Sequence, residues 1–278
     1  MNKKPYYSLS FLLLLVVPLL LLVILIVPLF SLGSIGPSEQ PSEPPSGTKK
    51  PGAGTRPLAL VYRGPAGCDG CSEAAAALLA SSKWNFDVEY VGPNEKLQLS
   101  AEVLKTATVY AQPGGNDDLD KTYAIMRRDA PLIRNFVKSG GRYLGFCMGG
   151  YLAGASPGFK LLPGDTDEYT SSRNASVKST DDTTVKVYWR DQPRTIYFQD
   201  GPYFTLKPNA TDVTVLARYT NGKIAALVAP YGKGMVGVVG PHPEATNGWF
   251  QEYHLTVPDG LSLDLGHDLI DTAMNGGQ

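Results

Sequence analysis

The sequence has few of the side chains that most often bind metals, and it carries almost no net charge. It contains 3 Cys and 3 His in 278 residues, with a formal net charge of −1. No basic patch interleaved with aromatic residues is present, and no segment repeats, which argues against a nucleic-acid partner and a repeat architecture. The acidic cluster Asp117, Asp118 and Asp120 is interpreted as a solvated helix start, since Asp caps helices well. We therefore expect neither a metal nor another cofactor.

One long segment without charge lies near the amino end. Residues 9–32 contain no charged side chain, and Lys3 and Lys4 precede them. A bilayer core needs about 20 apolar residues, whereas the apolar part of a signal peptide has about 7–15. We predict a cytosolic tail at residues 1–8, a single-pass signal anchor at 9–32, and a domain on the lumenal or extracellular side. The alternative is a cleaved signal peptide and a secreted domain.

The rest of the chain divides into a linker and one domain. Residues 33–56 are rich in Pro, Ser and Gly, a composition that cannot bury a core and is typical of a disordered stalk. Residues 57–278 are enough for one domain with a sizeable core. Two sequons, at Asn174 and Asn209, lie in polar stretches of this domain. Together with an export segment they predict two glycosylation sites.

Strands and helices alternate along the first half of the domain. The predicted strands are Leu58–Tyr62, Val88–Val91, Thr108–Ala111 and Tyr143–Phe146, with helices at Ser72–Ala80, Ala101–Lys105 and Ala130–Ser139. This alternation is typical of a mostly parallel sheet with helices on both faces. Later strands at Thr183–Trp189, Thr195–Phe198, Val213–Tyr219 and Ile224–Val228 predict an antiparallel extension. A further apolar strand is predicted at Met235–Gly240, and a closing helix at Leu263–Met274. We assign the α/β class.

Cys147 lies between an apolar strand and a predicted helix at Met148–Ala155. Gly145 and Gly149 flank it, as a tight strand-to-helix turn with an exposed nucleophile requires. At a helix N-terminus, unsatisfied N–H groups favour an anion, so the thiol should ionise more easily. The pattern predicts a catalytic nucleophile, although a packing thiol is the simpler interpretation of a lone Cys.

A glycine pair upstream offers further groups for the same chemistry. Gly114 and Gly115 follow the predicted strand Thr108–Ala111. A turn at the carboxyl end of a parallel strand can direct amide groups into the crevice that the nucleophile occupies. The amides of Gly114, Gly115 and Met148 are therefore predicted to hold an oxyanion.

The base and its partner are predicted at the end of a later strand. His242 and Glu244 are separated by one residue, and alternate residues of extended backbone face the same way. Glu244 can then orient the ring while His242 takes the proton of Cys147. The predicted order of the triad is Cys, His, Glu.

Cys68 and Cys71 form a C-x-x-C motif between the first strand and an Ala-rich helix. The simplest interpretation is a local disulfide in an oxidising compartment. The same layout is found at thioredoxin-like redox sites, so a redox protein is an alternative. A zinc site would need two further ligands. Pairing these two residues leaves Cys147 as the free thiol.

The combined motifs resemble the class I glutamine amidotransferase-like superfamily and, within it, the N-terminal domain of fungal biotin–protein ligases. The resemblance is carried by Val61–Pro65, Gln112–Gly115, Tyr143–Tyr151, the Gly201–Phe204 turn and Pro241–Glu244. It implies a flavodoxin-like fold and a Cys-His-Glu triad. Tyr151 stands where glutaminases of the superfamily usually carry Gln, so it is predicted to line a different substrate pocket.

The leading hypothesis is a membrane-tethered amidohydrolase-like domain that acts on an unidentified small-molecule or peptide amide or ester. The chain leaves no room after Glu244 for a ligase domain, so we expect a stand-alone domain that has a separate protein partner. A catalytically inactive binding or regulatory module is the alternative from another class. The redox protein using Cys68 and Cys71 is a third.

Overall fold

The computed structural model of this chain describes residues 56–277. The tail, the signal anchor and residues 33–55 of the stalk predicted from the sequence lie outside the described residues. Inside them, no helix combines the length and the apolarity needed to cross a bilayer.

The described residues form one mixed sheet of 11 strands with seven helices. The strands are β1 Leu58–Tyr62, β2 Asp87–Val91, β3 Val109–Gln112, β4 Arg142–Phe146, β5 Gly164–Glu168, β6 Thr183–Trp189, β7 Gln192–Phe198, β8 Pro202–Leu206, β9 Thr214–Tyr219, β10 Ile224–Tyr231 and β11 Gly234–Val239. The helices are α1 Cys71–Ser81, α2 Ala101–Lys105, α3 Leu119–Met126, α4 Ala130–Lys138, α5 Met148–Leu152, α6 Asn247–Glu252 and α7 Leu263–Met274.

The main path of the sheet runs β2-β1-β3-β4-β11-β10-β9-β6-β7, and β8 joins β10 and β5 beside it. Along this path, neighbouring strands in the series β2-β1-β3-β4-β11 pair in parallel. The strand pairs from β11 to β10 and β10 to β9 are antiparallel, as are the others of the sheet. The sheet thus has a parallel half (β1 to β4 and β11) and an antiparallel half (β5 to β10).

Helices cover both faces of the parallel half. In β1, Ala59 and Val61 belong to one hydrophobic core with α1 and α7, whereas Leu60 and Tyr62 belong to a second core with α2, α4 and α5. Alternate residues of a strand point to opposite faces, so β1 is apolar throughout because both of its faces are buried. This confirms the predicted layers of helix, sheet and helix.

The register of three neighbouring strands positions the site. β4 lies between β3 and β11 and is parallel to both, with Gln112 opposite Gly145 and Val239 opposite Phe146. The segments that follow these strands therefore leave the sheet at one edge, which is where open α/β sheets bind their ligands.

Two parts of the predicted fold need correction. The described residues contain four parallel and six antiparallel strand pairs, so the sheet is mixed and not mostly parallel. The segment Gly201–Phe204 was expected as a turn, but it leads into β8, which pairs with the unpredicted β5. β5 has the sequence GDTDE, and it lacks the apolar alternation by which strands are predicted.

The helix after Cys147 is also shorter than expected: it ends at Leu152 and not at Ala155. Gly154, Pro157 and Gly158 follow, and Pro and Gly are the poorest residues for extending a helix. A helix of this length has a small dipole, so it contributes little to the electrostatics of the site.

Candidate active site

Cys147 occupies a strained turn between β4 and α5. Its backbone has φ 48° and ψ −107°, outside the regions that side chains other than glycine prefer. A nucleophile on a strand-to-helix turn is held in this kind of conformation, which projects its side chain away from the sheet. The Sγ atom donates to the carbonyl of Gln199 at 3.4 Å. The predicted elbow is therefore present at Cys147.

The glycines around Cys147 are required by close backbone contacts. A Cβ at Gly145 would lie 2.4 Å from the carbonyl oxygen of Gly149, and a Cβ at Gly149 would lie 2.0 Å from that of Gln112. Both distances are far below van der Waals contact. The turn can therefore pack against β3 only without side chains at these two positions.

His242 and Glu244 form a buried pair at the end of β11. The Nδ1 atom of His242 lies 2.9 Å from Oε1 of Glu244, and both side chains are almost fully buried. The backbone N–H of His242 donates to the carbonyl of Tyr197 at 2.9 Å. The ring of His242 is thus held by the carboxylate of Glu244, and its backbone is held by Tyr197 in the antiparallel half of the sheet.

The charges near His242 favour its protonated form. Burial lowers the pKa of the ring, but the Cys147 thiol and the Glu244 carboxylate raise it more, and the pKa of His242 rises from 6.5 to about 10. Oε2 of Glu244 is buried and has no hydrogen-bond partner among the described residues, so nothing there competes with the ring for this carboxylate. The ring can therefore hold a proton between Cys147 and Glu244.

The glycine pair lies against both the elbow and the base. A Cβ at Gly115 would lie 2.8 Å from Cγ of Met148, and one at Gly114 would lie 3.1 Å from Cε1 of His242. The carbonyl of Gly114 accepts from the N–H of Cys68 at 3.0 Å. The structure therefore brings the three predicted oxyanion residues to the same edge as Cys147 and His242.

The structure pairs Cys68 with Cys71 in a disulfide and leaves Cys147 as a free thiol. A Cβ at Gly114 would lie 3.1 Å from Sγ of Cys71 and 3.2 Å from Sγ of Cys68, and it would also touch His242. The disulfide is therefore part of the wall of the site. Thiol–disulfide exchange at this pair remains a prediction.

Tyr151 lines a cavity together with Cys147. Its hydroxyl donates to the carbonyl of Asp200 at 3.1 Å, and the side chain is 8% exposed. The ring thus occupies space beside the thiol, and its hydroxyl is already engaged with the backbone.

Two cavities open on either side of the nucleophile and the base. The thiol cavity, of about 260 Å³, is lined by Cys147, Met148, Tyr151 and Asp200 among others. The imidazole cavity, of about 240 Å³, is lined by His242, Tyr197, Trp249 and Tyr253 among others. Four residues line both cavities, which are therefore adjacent: Gly115, Asn116, Asp117 and Gln199. A larger cavity of about 490 Å³, between α2 and α4, contains none of the predicted site residues.

Sequence reasoning missed the contributions of the antiparallel half. Tyr197 at the end of β7 and Gln199 after it contact His242 and Cys147 through their backbone carbonyls. Trp249 in α6 meets the ring of His242 edge to face, with centroids 5.4 Å apart. No local pattern marks these residues, because Tyr197 and Gln199 are positioned by the pairing of β7 with β6, and Trp249 by the packing of α6 against Tyr197.

Both predicted glycosylation sites are on the surface of the domain. The side chains of Asn174 and Asn209 are exposed, and both residues lie in turns. Asn174 also has a positive φ of 59°, which Asn tolerates better than most residues.

The sequence matches one protein family over most of the described domain. Residues 58–167 and 165–259 match the family described as biotin-protein ligase, N terminal. A biotin–protein ligase of Schizosaccharomyces pombe is 32% identical over 141 residues, which are 40% of this chain and 22% of that protein. The chain thus spans about a fifth of the length of this relative.

Solved structures with similar folds include glutamine amidotransferases. The structure of a glutamine amidotransferase from Thermotoga maritima has a TM-score of 0.51 at 14% identity, covering 80% of this chain and 96% of that one. A glutamine amidotransferase from Methylobacillus flagellatus has a TM-score of 0.50 at 14% identity, covering 80% and 91%. At this identity the likeness shows the fold alone.

Proposed function

The chain belongs to the family of biotin–protein ligase N-terminal domains, on a fold shared with glutamine amidotransferases, and we propose that it is a Cys-dependent amidohydrolase. Cys147 is the nucleophile, His242 the acid and base, and Glu244 the residue that orients the ring. The substrate is an amide or ester of a small molecule or peptide. The observation that carries the proposal is the strained backbone of Cys147 beside the buried pair of His242 and Glu244.

The proposed reaction proceeds in two halves. The thiol proton of Cys147 passes to His242, and the sulfur attacks the carbonyl carbon of the substrate. The resulting oxyanion is held by the amides of Gly114, Gly115 and Met148. When the tetrahedral intermediate collapses, the leaving amine or alcohol takes the proton from His242. Water then attacks the thioester with His242 as base, which releases the acid and restores the thiol.

Free glutamine is not our proposed substrate, because Tyr151 replaces the Gln expected for glutaminases. The aromatic ring is held by its hydrogen bond to Asp200 and changes both the shape and the hydrogen-bonding groups of the pocket. A larger amide or ester that enters from the imidazole cavity avoids this obstruction.

The proposal is tested by the reactivity of Cys147. Cys147 is the free cysteine of this chain, so mass spectrometry after iodoacetamide treatment reports on it alone. We expect alkylation at pH 7 to be at least about tenfold faster in the folded protein than in urea, and to slow by a similar factor in His242→Asn. An activated ester should give a burst of one product per protein, lost in Cys147→Ser.

Equal rates in folded and unfolded protein would contradict the enzymatic proposal and favour the inactive binding module. That alternative is supported by the near-complete burial of Cys147, which is 7% exposed. The inactive module predicts that Cys147→Ser keeps every cellular function of the chain. His242→Asn is the matched control and should keep these functions as well.

We also propose that the domain is tethered to a membrane of the secretory pathway, on the lumenal or extracellular side, where it meets a separate protein partner. The charge-free segment at residues 9–32, the two exposed sequons and the paired Cys68 and Cys71 support this location. We expect glycosidase treatment to shift the protein's mobility, and Asn174→Gln with Asn209→Gln to abolish the shift. A protein of unchanged mobility that fractionates with cytosolic markers would refute the location.

A further inference from the structure

The two cavities beside the catalytic pair contain negative side chains but no positive ones apart from His242. The thiol cavity is lined by Asp117, Asp167, Glu168 and Asp200, and no Lys or Arg lines either cavity. Over the whole chain Lys and Arg number 25 against 26 Asp and Glu. The imbalance at the site therefore does not reflect the composition of the chain.

The imidazole cavity has the same character. Asp69, Asp117, Asp182 and Glu252 line it. Elsewhere in the described domain, carboxylates such as Asp264 and Asp268 form ion pairs with Arg side chains. Among the described residues, no carboxylate of either cavity forms such a pair. These charges are thus left uncompensated at the place where a substrate would bind.

Aromatic side chains form the walls of the imidazole cavity. Tyr197 and Trp249 meet edge to face, with ring centroids 5.3 Å apart, and Tyr253 is half exposed at the rim. The hydroxyl of Tyr197 donates to the carboxylate of Asp182. Aromatic faces together with carboxylates form the type of pocket that attracts ammonium and guanidinium groups. The walls are an observation independent of the charges.

Asp200 is partly buried and lies close to other carboxylates. Burial, followed by the nearby charge of Glu168, raises the pKa of Asp200 to about 6, and Asp117 adds to the rise. The contributions of Glu168 and Asp117, unlike that of burial, reflect negative potential at this carboxylate. A bound cation would relieve this potential, whereas an anionic ligand would increase it.

We propose that the substrate of this site is cationic, with an ammonium or guanidinium group that occupies the imidazole cavity between Trp249, Tyr253 and the carboxylates of Asp182 and Glu252. This inference rests on the proposed function and specifies its substrate class. The reacting carbonyl then lies at the wall shared by the two cavities, between Cys147 and His242. Substrates with a free carboxylate near the carbonyl are disfavoured by the same charges.

The test uses methanethiosulfonate reagents of different charge on the folded protein. The cationic reagent carries a trimethylammonium-ethyl group, the anionic one a sulfonatoethyl group, and the neutral one a methyl group. Each forms a mixed disulfide with Cys147 and releases a sulfinate. Rates are divided by those of N-acetylcysteine amide, a thiol without another charged group, in the same buffer, which removes the intrinsic preference of a thiolate for cations.

We expect the normalised cationic rate to exceed the anionic rate by about tenfold or more at low salt, and the ratio to fall at high salt. The double variant Asp182→Asn with Glu252→Gln should lower the ratio at least about threefold. Glu89→Gln with Glu102→Gln, two exposed carboxylates outside both cavities, is the matched control and should leave it unchanged.

A ratio near one in the wild-type protein would overturn the inference whether or not the variants fold. A ratio that survives the double variant would remove the imidazole cavity as the cation site. Failure of the proposed function is distinguishable from both outcomes. In that case all three reagents react with Cys147 no faster than with N-acetylcysteine amide, whatever their ratio.

Discussion

The parallel and the antiparallel halves of the sheet make different contributions to the site. The parallel half carries the nucleophile and the glycine pair on the loops after β4 and β3, and His242 follows β11 at its boundary. The antiparallel half supplies Tyr197, and Gln199 and Asp200 follow it. The chemical groups thus come from the parallel half, and much of the substrate-facing surface comes from the other.

This difference separates chemistry from recognition. The parallel half must hold Cys147 in a strained conformation, so its backbone contacts leave little room for change. The antiparallel half and its loops present Tyr197, Asp182 and Asp200 to the cavities, whereas Trp249 and Glu252 come from α6. Turns of this half such as the one at Gly222 lie open to solvent, with nothing within 4 Å of an added Cβ. We expect the two halves to respond unequally to equivalent substitutions.

The largest expected effect comes from adding one methyl group in the parallel half. In Gly149→Ala the new Cβ would lie 2.0 Å from the carbonyl oxygen of Gln112, so β3 and the elbow must separate. We expect a loss of about 3 kcal/mol or more in the free energy of unfolding, measured by urea denaturation.

The matched control is Gly222→Ala in the antiparallel half. Gly222 has a φ of 84° and open space around it, so the substitution should cost only about 1–2 kcal/mol, the strain of a left-handed residue. Equal losses in the two variants would mean that the halves are equally constrained, and the comparison would fail.

A smaller effect is expected where the halves meet, at His242. The Glu244 carboxylate helps to raise the pKa of His242 to about 10, whereas burial favours the neutral ring. Glu244→Gln removes the negative charge and keeps the shape, so the pKa of His242 should fall by at least about one unit, which corresponds to about 1.4 kcal/mol. Ring-nitrogen NMR during a pH titration measures it. An unchanged midpoint would show that Glu244 does not hold the imidazolium.

Several features of the parallel half could be predicted because their signals are local. Leu58–Tyr62 was predicted to the residue, since a strand buried on both faces is a continuous apolar run. The glycines beside Cys147 indicated a close backbone approach, which the structure has at Gly145 and Gly149. The single residue between His242 and Glu244 indicated that their side chains could meet, and they do.

The antiparallel half was predicted less completely, for a physical reason. β5 is polar along its length and is held by its pairing with β8, a contact between residues far apart in the chain. α6 places Trp249 against His242, although nothing near residue 249 indicates the base. Such positions result from packing between distant segments, which local propensity does not report.

The sequence by itself determined the family, the strand that carries Cys147, the glycines that permit its turn and the pairing of His242 with Glu244. Each of these depends on residues that are neighbours in the chain or on a strand that is buried on both faces. Only the tertiary structure decided that β5 pairs with β8, that the disulfide forms a wall of the site, and that carboxylates and aromatic rings from separate elements surround one cavity. Electrostatic potential and cavity shape arise from side chains close in space, and chain folding alone brings them together.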